Sequence, residues 1–477
     1  MNSSPLWQAE DVIRAVRGQC LHEQTWGATN VVIDSRTAQV GDLFVALQGP
    51  VHDGHDHVAA AIEAGAVAAI VARQPAQTPP DAPLVFVEDT FKALESLGQA
   101  GRIRATSNII AVTGSVGKTS TKEMLRLALA ATGETYANEG SLNNHWGVPL
   151  SLARLPATAH YGVFELGMNH AGELTALSKQ VRPHVALITN IEAVHLEFFP
   201  SLESIADAKA EIFLGIEPQG AAVLNRDNRY YARLAAAAKT RGIKNILSFG
   251  RDGKADARLI DLVTEPERSV ITAEIQGKRM SFTLGAPGEH LVMNALGALL
   301  AAMAANSDVE ACANALARYQ QPKGRGVIQN LPVSGGEIVL IDESYNASPV
   351  SVGFAARVLG QMMPTAGGRR VLVLGDMREL GDTSPALHAA LAKDIAEAKI
   401  DSVFCCGPMM RHLFDALPAA LRGAHADDST ALAPLVAAAI HAGDIVTVKG
   451  SNSMAMVKVV TALRTLSSAH AARKMAG

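Results

Sequence analysis

The sequence predicts an α/β protein of three domains built on parallel sheets. Three observations carry that prediction. Short apolar, β-branched runs alternate with helix-like segments along most of the chain, the signature of parallel strands covered by helices on both faces. One such run, at 109–112, turns through Thr113-Gly114-Ser115-Val116-Gly117-Lys118-Thr119-Ser120 into a helix-like segment at 122–127. Two polar, turn-rich stretches, 101–108 and Gln321-Pro322-Lys323-Gly324-Arg325-Gly326, divide the chain into residues 1–105, 106–320 and 321–477. A length of 477 residues exceeds one ordinary core and agrees with that division.

In the first unit, 31–34 and 43–47 read as strands, 57–64 as a helix and 66–72 as a further strand. The Pro-rich 74–83 reads as a loop, and Arg102, Arg104, Ser107 and Asn108 make 101–108 a polar join. In the second unit, strands are expected at 161–166, 185–190 and 221–225, with a helix at 202–214. The character changes at 256–285. There 270–275 and 280–284 flank Gln276-Gly277-Lys278 and read as a β-hairpin. Alanine-rich helices follow at 290–305 and 308–319. The third unit places strands at 338–342, 371–375, 403–406 and 445–448, with helices between them. Cys405 and Cys406, adjacent in a strand, would point to opposite faces. With Cys20 and Cys312 scattered, all four cysteines read as small core residues and not as a metal or redox site.

Composition removes several function classes. A hydrophobic content of 48% with mean hydropathy +0.14 fits a globular chain. Aromatic residues at 4% leave few platforms for stacking single-stranded bases. A net charge of −4 argues against a nucleic-acid partner held by bulk positive charge. The start Met1-Asn2-Ser3-Ser4-Pro5 lacks the basic and apolar regions of a secretory signal, and no apolar run is long enough to span a membrane. A cytoplasmic protein with no membrane insertion is expected, and nothing points to more than a monomer.

The loop 113–120 carries chemistry. Its backbone N–H groups can cradle phosphate oxygens, aided by the positive end of the following helix. Lys118 can reach the β/γ-phosphates and the Thr119 hydroxyl can ligate Mg²⁺. Binding of ATP or GTP follows. The loop departs from the usual pattern, because Val112 stands where a glycine is expected five residues before Gly117. Other polar residues gather where strands end, the place where open α/β sheets bind ligands. Glu165 could hold Mg²⁺ there or simply be solvated. His195 follows another strand, although Mg²⁺ prefers oxygen. Lys209 alone reads as a surface lysine, and Asn143-Asn144 alone as a turn. Asn294 opens a helix-like segment, Arg325 lies in the second hinge and Asp342 ends a strand.

The shortened loop Thr113-Gly114-Ser115-Val116-Gly117-Lys118-Thr119, followed in order by 140–150, 165–173, 207–213 and 342–349, resembles the Mur ligases over nearly the whole chain. The Asp-Asn-Pro-Arg motif of the members that add diaminopimelate is absent, with only Asp227-Asn228-Arg229 present. The resemblance implies a small UDP-binding domain, a central P-loop-type ATPase domain and a C-terminal Rossmann-like domain. It implies ATP-driven joining of D-alanyl-D-alanine to UDP-N-acetylmuramoyl-tripeptide through an acyl phosphate. Lys118 would bind the β/γ-phosphates, with Gly114, Ser115, Val116, Gly117, Thr119 and Ser120 around the nucleotide. Thr119 and Glu165 would bind Mg²⁺, and His195 a second ion. Lys209 would react with CO₂ to give a carbamate, an anionic ligand in place of a cation. Lys118, Lys209 and His195 would form the catalytic set. Asn294 would read adenine, while Arg325 and Asp342 would close over the phosphates and ribose. Ser35, Arg36 and Thr37, with Asp53, Gly54 and His55, would hold the uracil nucleotide. Asn143, Asn144, Tyr345 and Asn346 would line the substrate path, and Lys449, Ser451 and Asn452 would receive the dipeptide. Two other readings stay open on the sequence. One is a sister ligase that adds a single amino acid or extends folate polyglutamate. The other is a switch that binds ATP and ligates nothing.

Overall fold

The computed structural model describes residues 5–21, 25–79, 81–193, 196–365 and 367–476, with backbone alone over 468–476. Apart from a two-residue pairing of Trp7–Gln8 with Gly27–Ala28, the described strands form three sheets. In the first, Asn30–Val32, Asp42–Val45, Ala68–Val71 and Leu84–Phe86 run parallel in chain order. Side chains alternate between its faces. Val31, Leu43, Val45 and Ile70 enter one core, and Val32, Phe44, Ala69 and Val71 enter the other.

The central sheet has nine strands. The strand Asn108–Thr113 lies third from one edge, paired in parallel with Tyr161–Glu165 on one side and Val185–Ile188 on the other. Thr135–Ala137 closes one edge. Ala221–Asn225, Asn245–Gly250 and Ala257–Thr264 extend the other way, ending in the antiparallel hairpin Ser269–Ile275 and Lys278–Leu284. Ile110 and Val112 face a core with helices Lys118–Leu129 and Glu289–Ala304, whereas Ile109 and Ala111 face a second core. Burial on both faces is why these strands read as unbroken apolar runs.

The third sheet orders Val327–Val333, Gly336–Glu343, Ile445–Lys449, Arg370–Gly375, Ser402–Cys406 and Arg422–Ala426, all parallel except the first. Cys405 enters one core of this unit and Cys406 the other, as the alternation requires. No described helix is long and apolar enough to cross a membrane.

Several boundaries differ from the sequence reading. The strands Leu84–Phe86, Thr135–Ala137, Ala257–Thr264 and Val327–Val333 carried too little pattern to be read. The helix expected at 202–214 is Leu202–Ala210 followed by the tighter turn Glu211–Gly215. The first half of the join at 101–108 is helix, because Thr90–Arg104 runs through it. Its arginines look polar but are structural. Arg102 Nε donates to Val181 O at 2.7 Å and Nη2 to Arg182 O at 2.8 Å. Arg104 stacks 3.8 Å over the Trp7 ring, whose Nε1 donates to Ala153 O at 2.8 Å.

This helix seats the first unit on the central one through two glycines. A Cβ on Gly98 would lie 2.7 Å from Pro149 O, and one on Gly101 would lie 2.2 Å from Leu152 O. Both facing oxygens are backbone of helix Gly147–Ala153, which cannot turn aside. Alanine in place of a helical glycine gains about 1 kcal/mol of propensity, but overpacking costs about 1–3 kcal/mol. Gly101→Ala is therefore expected to lower the urea midpoint of unfolding. An unchanged or higher midpoint would show that the two helices part freely.

Candidate active site

Strand Asn108–Thr113 ends in the loop 114–117, and helix Lys118–Leu129 begins directly after it. Gly114 (φ +148°) and Gly117 (φ +84°) hold backbone conformations that favour glycine. A Cβ on Gly114 would lie 1.9 Å from Thr189 Oγ1, so the loop is packed hard on the neighbouring strand end. Asn190 holds the loop from behind, its carbonyl accepting from Ser115 N–H and its Oδ1 from Val116 N–H, both at 3.0 Å. Those two N–H groups are thus engaged inside the protein. The donors free for an anion are those of the helix's first turn, which have no intrahelical acceptor.

Lys118 is half-buried and curls over the loop, donating to Gly114 O at 2.8 Å and Ser115 O at 3.3 Å. Burial lowers its pKa. Glu165 opposes that shift, Arg325 adds to it and Glu379 opposes it. One lysine thus senses charges from both the central and third units.

Beside it, Thr119 Oγ1 donates to Glu165 Oε2 at 2.7 Å. Asn143 Nδ2 donates to Glu165 Oε1 at 2.7 Å, and Glu165 N–H donates to Asn138 Oδ1 at 2.8 Å. Glu165 is only 1% exposed. A hydroxyl and a carboxylate in contact are the oxygen donors that Mg²⁺ selects, and this ion commonly takes only one or two carboxylates and completes its shell with water and phosphate. The residues therefore fit such an ion. No cluster of three or more His, Cys, Asp or Glu occurs among the described residues. His195, expected at a second ion, lies outside the described residues.

Lys209 is not the surface residue its context suggested. It sits on helix Leu202–Ala210 at 1% exposure, and no hydrogen bond or ion pair joins it to a described residue. Burial, with Lys118 nearby, drives its pKa well below the ordinary lysine value. Asn294, on helix Glu289–Ala304, rests on the loop itself: a Cβ on Gly117 would lie 2.9 Å from both of its amide atoms.

Arg325 and Glu379 of the third unit lie close enough to this loop to act on the charge of Lys118. The Arg325 guanidinium lies 4.1 Å over the Tyr345 ring, and the Tyr345 hydroxyl bonds the Ser141 hydroxyl of the central unit. Nearby, Glu197 N–H donates to Glu379 O at 3.2 Å. Asp342 is turned inward, with Oδ1 accepting from Ser344 Oγ at 2.6 Å and Oδ2 from Arg464 at 3.3 Å. Asn346 Oδ1 takes the Ala347 N–H, and Lys449 Nζ spans Glu343 Oε2 (2.7 Å) and Asn346 O (3.0 Å). Ser451 Oγ accepts from Arg378 N–H, and Asn452 opens a short helical turn.

In the first unit, Asp34 caps the turn Ser35–Thr37 and is gripped by Arg36, whose side chain is otherwise exposed. Asp53 caps the turn that begins at Gly54. Burial would raise the Asp53 pKa, but bonds from the His55 N–H, the His55 ring and Arg73 hold it down at about 2. Both nitrogens of His55 are used, Nδ1 toward Asp53 and Nε2 accepting from Ala72 N–H. Asn144 Oδ1 accepts from the Trp146 and Gly147 N–H groups at the start of helix Gly147–Ala153, and Trp146 reaches the first unit at Gly49.

The sequence reading missed Asn138, Thr189 and Asn190, whose only signal was a polar residue beside a strand end. It also passed over Lys122 as an ordinary helical residue.

The chain matches the model of the Mur ligase family catalytic domain over 28–101, of the Mur ligase middle domain over 112–302, and of the Mur ligase glutamate ligase domain over 329–452. It is 35% identical to the UDP-N-acetylmuramoyl-tripeptide–D-alanyl-D-alanine ligase of Rickettsia prowazekii, covering 90% of this chain and 94% of that one. The ligase of the same name from Escherichia coli K12 is also 35% identical, with 91% and 93% covered. A crystal structure of MurF from Acinetobacter baumannii superposes with a TM-score of 0.82 at 33% identity, covering 96% of this chain and 99% of that one. MurF ligase from Thermotoga maritima in complex with ADP gives 0.76 at 25% identity, with 92% and 98% covered.

The tight contact at Gly114 yields a direct test. Gly114→Ala should abolish ADP binding measured by calorimetry while the protein stays folded, because the new methyl group must displace Thr189. Retained affinity would show that the loop adjusts.

Proposed function

The chain belongs to the Mur ligase family, and from that membership we infer that it joins D-alanyl-D-alanine to UDP-N-acetylmuramoyl-tripeptide, with ATP converted to ADP and phosphate. The observation that carries this reading is one constellation. A phosphate loop with Lys118 lies beside the Thr119–Glu165 contact, and Arg325 faces it from the third unit.

The substrate carboxylate attacks the γ-phosphorus, the bond to the ADP oxygen breaks, and an acyl phosphate forms. The dipeptide amine then attacks the acyl carbon, phosphate leaves and the amine gives up a proton. Lys118 swings from its carbonyl contacts to the β/γ-phosphates and offsets charge as the phosphoryl group moves. Thr119 and Glu165 would hold Mg²⁺, which when bound would supply further charge stabilisation. Arg325 approaches from the third unit, and the Tyr345–Ser141 contact draws that unit onto the central one, excluding water that would hydrolyse the acyl phosphate. In this division of labour, residues 1–105 hold the UDP end, 106–320 the nucleotide and 321–477 the incoming dipeptide. The enzyme works as a cytoplasmic monomer.

Lys209 supports the carbamate assignment. CO₂ adds to a neutral amine, and a buried lysine with a depressed pKa supplies one. The carbamate would give the second ion an anionic oxygen ligand.

Two measurements test this. Phosphate release should require ATP, UDP-N-acetylmuramoyl-tripeptide and D-alanyl-D-alanine together, with the UDP-linked pentapeptide seen by mass spectrometry. Release with one free amino acid instead of the dipeptide would reassign the substrate, and no dependent release would refute ligation. Protein equilibrated with ¹³C-bicarbonate should show a carbamate carbon signal that is missing in Lys209→Arg. The same spectrum for both proteins would remove the carbamate.

A further inference from the structure

Lys122 is among the largest fully buried side chains of the protein. It lies one turn beyond Lys118, near the positive end of helix Lys118–Leu129, where the helix dipole disfavours a cation. Its ion-pair partner Glu123, at 2.9 Å, is shared with Arg126 at 2.7 Å. Burying such a group is commonly no better for stability than an apolar side chain of similar size. Its geometry offers another reason for its presence.

Lys122 Nζ donates to Asn138 O at 2.7 Å and Gly140 O at 3.2 Å. Asn138, 1% exposed, takes the Glu165 N–H on Oδ1 and donates from Nδ2 to Leu142 O at 3.0 Å. The next residue, Asn143, donates to Glu165 Oε1, and Glu165 Oε2 accepts from Thr119. The chain of bonds closes on itself. It leaves the helix at Lys122, passes through loop 138–143 and Glu165, and returns to the same helix at Thr119, three residues earlier.

We propose that Lys122 is a positioning residue that sets Glu165 and the loop 140–143 on the phosphate-loop helix, so that the cation and the nucleotide are bound as one unit. The inference rests on the reading of Thr119 and Glu165 as cation ligands. Lys122 bonds to Asn138 O, Gly140 O and Glu123, and to neither Thr119 nor Glu165. It acts through Asn138, and partners one shell out from metal ligands commonly change metal affinity by about tenfold to a hundredfold.

The test is calorimetric affinity for ADP with and without Mg²⁺, with thermal unfolding as a check on the fold. Wild type should bind ADP more tightly with Mg²⁺, and Glu165→Gln should lose that gain. Lys122→Met should keep its metal-free ADP affinity and lose about tenfold or more of the Mg²⁺ gain. Asn138→Ser, which breaks the same circuit at its other end, should do the same. An undiminished Mg²⁺ gain in both variants overturns the proposal, and so does an equal loss of affinity with and without the ion. Failure of both variants to fold would make Lys122 a residue of the fold alone. If Glu165→Gln itself keeps the gain, the cation reading falls, and the proposal falls with it.

Discussion

Parallel pairing puts Val112 opposite Glu165 and Thr113 opposite Ile188, so three strands end at one level. The rest of the site depends on that register. A shift of one residue would turn Glu165 to the other face of the sheet and remove it from Thr119. The register is held by burial, because Ile109 to Val112 fill two cores at once. The apolar interior of the central unit thus decides where its few polar groups meet.

The charges gathered there are mutually dependent. Lys118 loses hydration and is steadied by Glu165 from its own unit and Glu379 from the third, while Arg325 opposes it. A nucleotide triphosphate would supply the anion that lets Lys118 and Arg325 approach. Closure of the third unit, as proposed, would then have a physical cause. Bound phosphate would convert a repulsion between two cations into a shared attraction, and the Tyr345 hydroxyl already meets the Ser141 hydroxyl of the central unit. Three lysines, one half-buried and two buried, serve this region differently. Lys118 has carbonyl contacts it can leave, Lys122 is tied to two carbonyls and a carboxylate, and Lys209 has no polar partner among the described residues.

The third unit shows how fold and site can conflict. Asp342 and Lys449 stand at adjacent strand ends, yet both are engaged locally, Asp342 with Arg464 and Lys449 with Glu343. A ligand recruiting either group would have to exchange those contacts for its own. His55 is likewise spent on Asp53 and a backbone N–H, so its ring builds the loop that a nucleotide would meet.

Local pattern was enough to read the α/β class, the parallel strands and the strand–loop–helix at Lys118. These follow from hydrophobic period and glycine placement within a few residues. Short or edge strands such as Thr135–Ala137 were not legible, because a few half-buried residues carry no period. Thr119 and Glu165 could be named from family resemblance, but their contact joins residues 46 apart in the chain and exists only through sheet pairing. Burial was beyond the sequence altogether. Lys209 and Lys122 look like solvated helix residues until the neighbouring elements pack over them. Arg102 and Arg104 look like a polar linker until carbonyls are seen to surround them. The sequence by itself determined many of the buried strands and helices and where an anion can bind, since both depend on neighbours along the chain. Tertiary structure decided which polar groups meet and which are stripped of water, because electrostatic strength and pKa depend on groups that chain order leaves far apart.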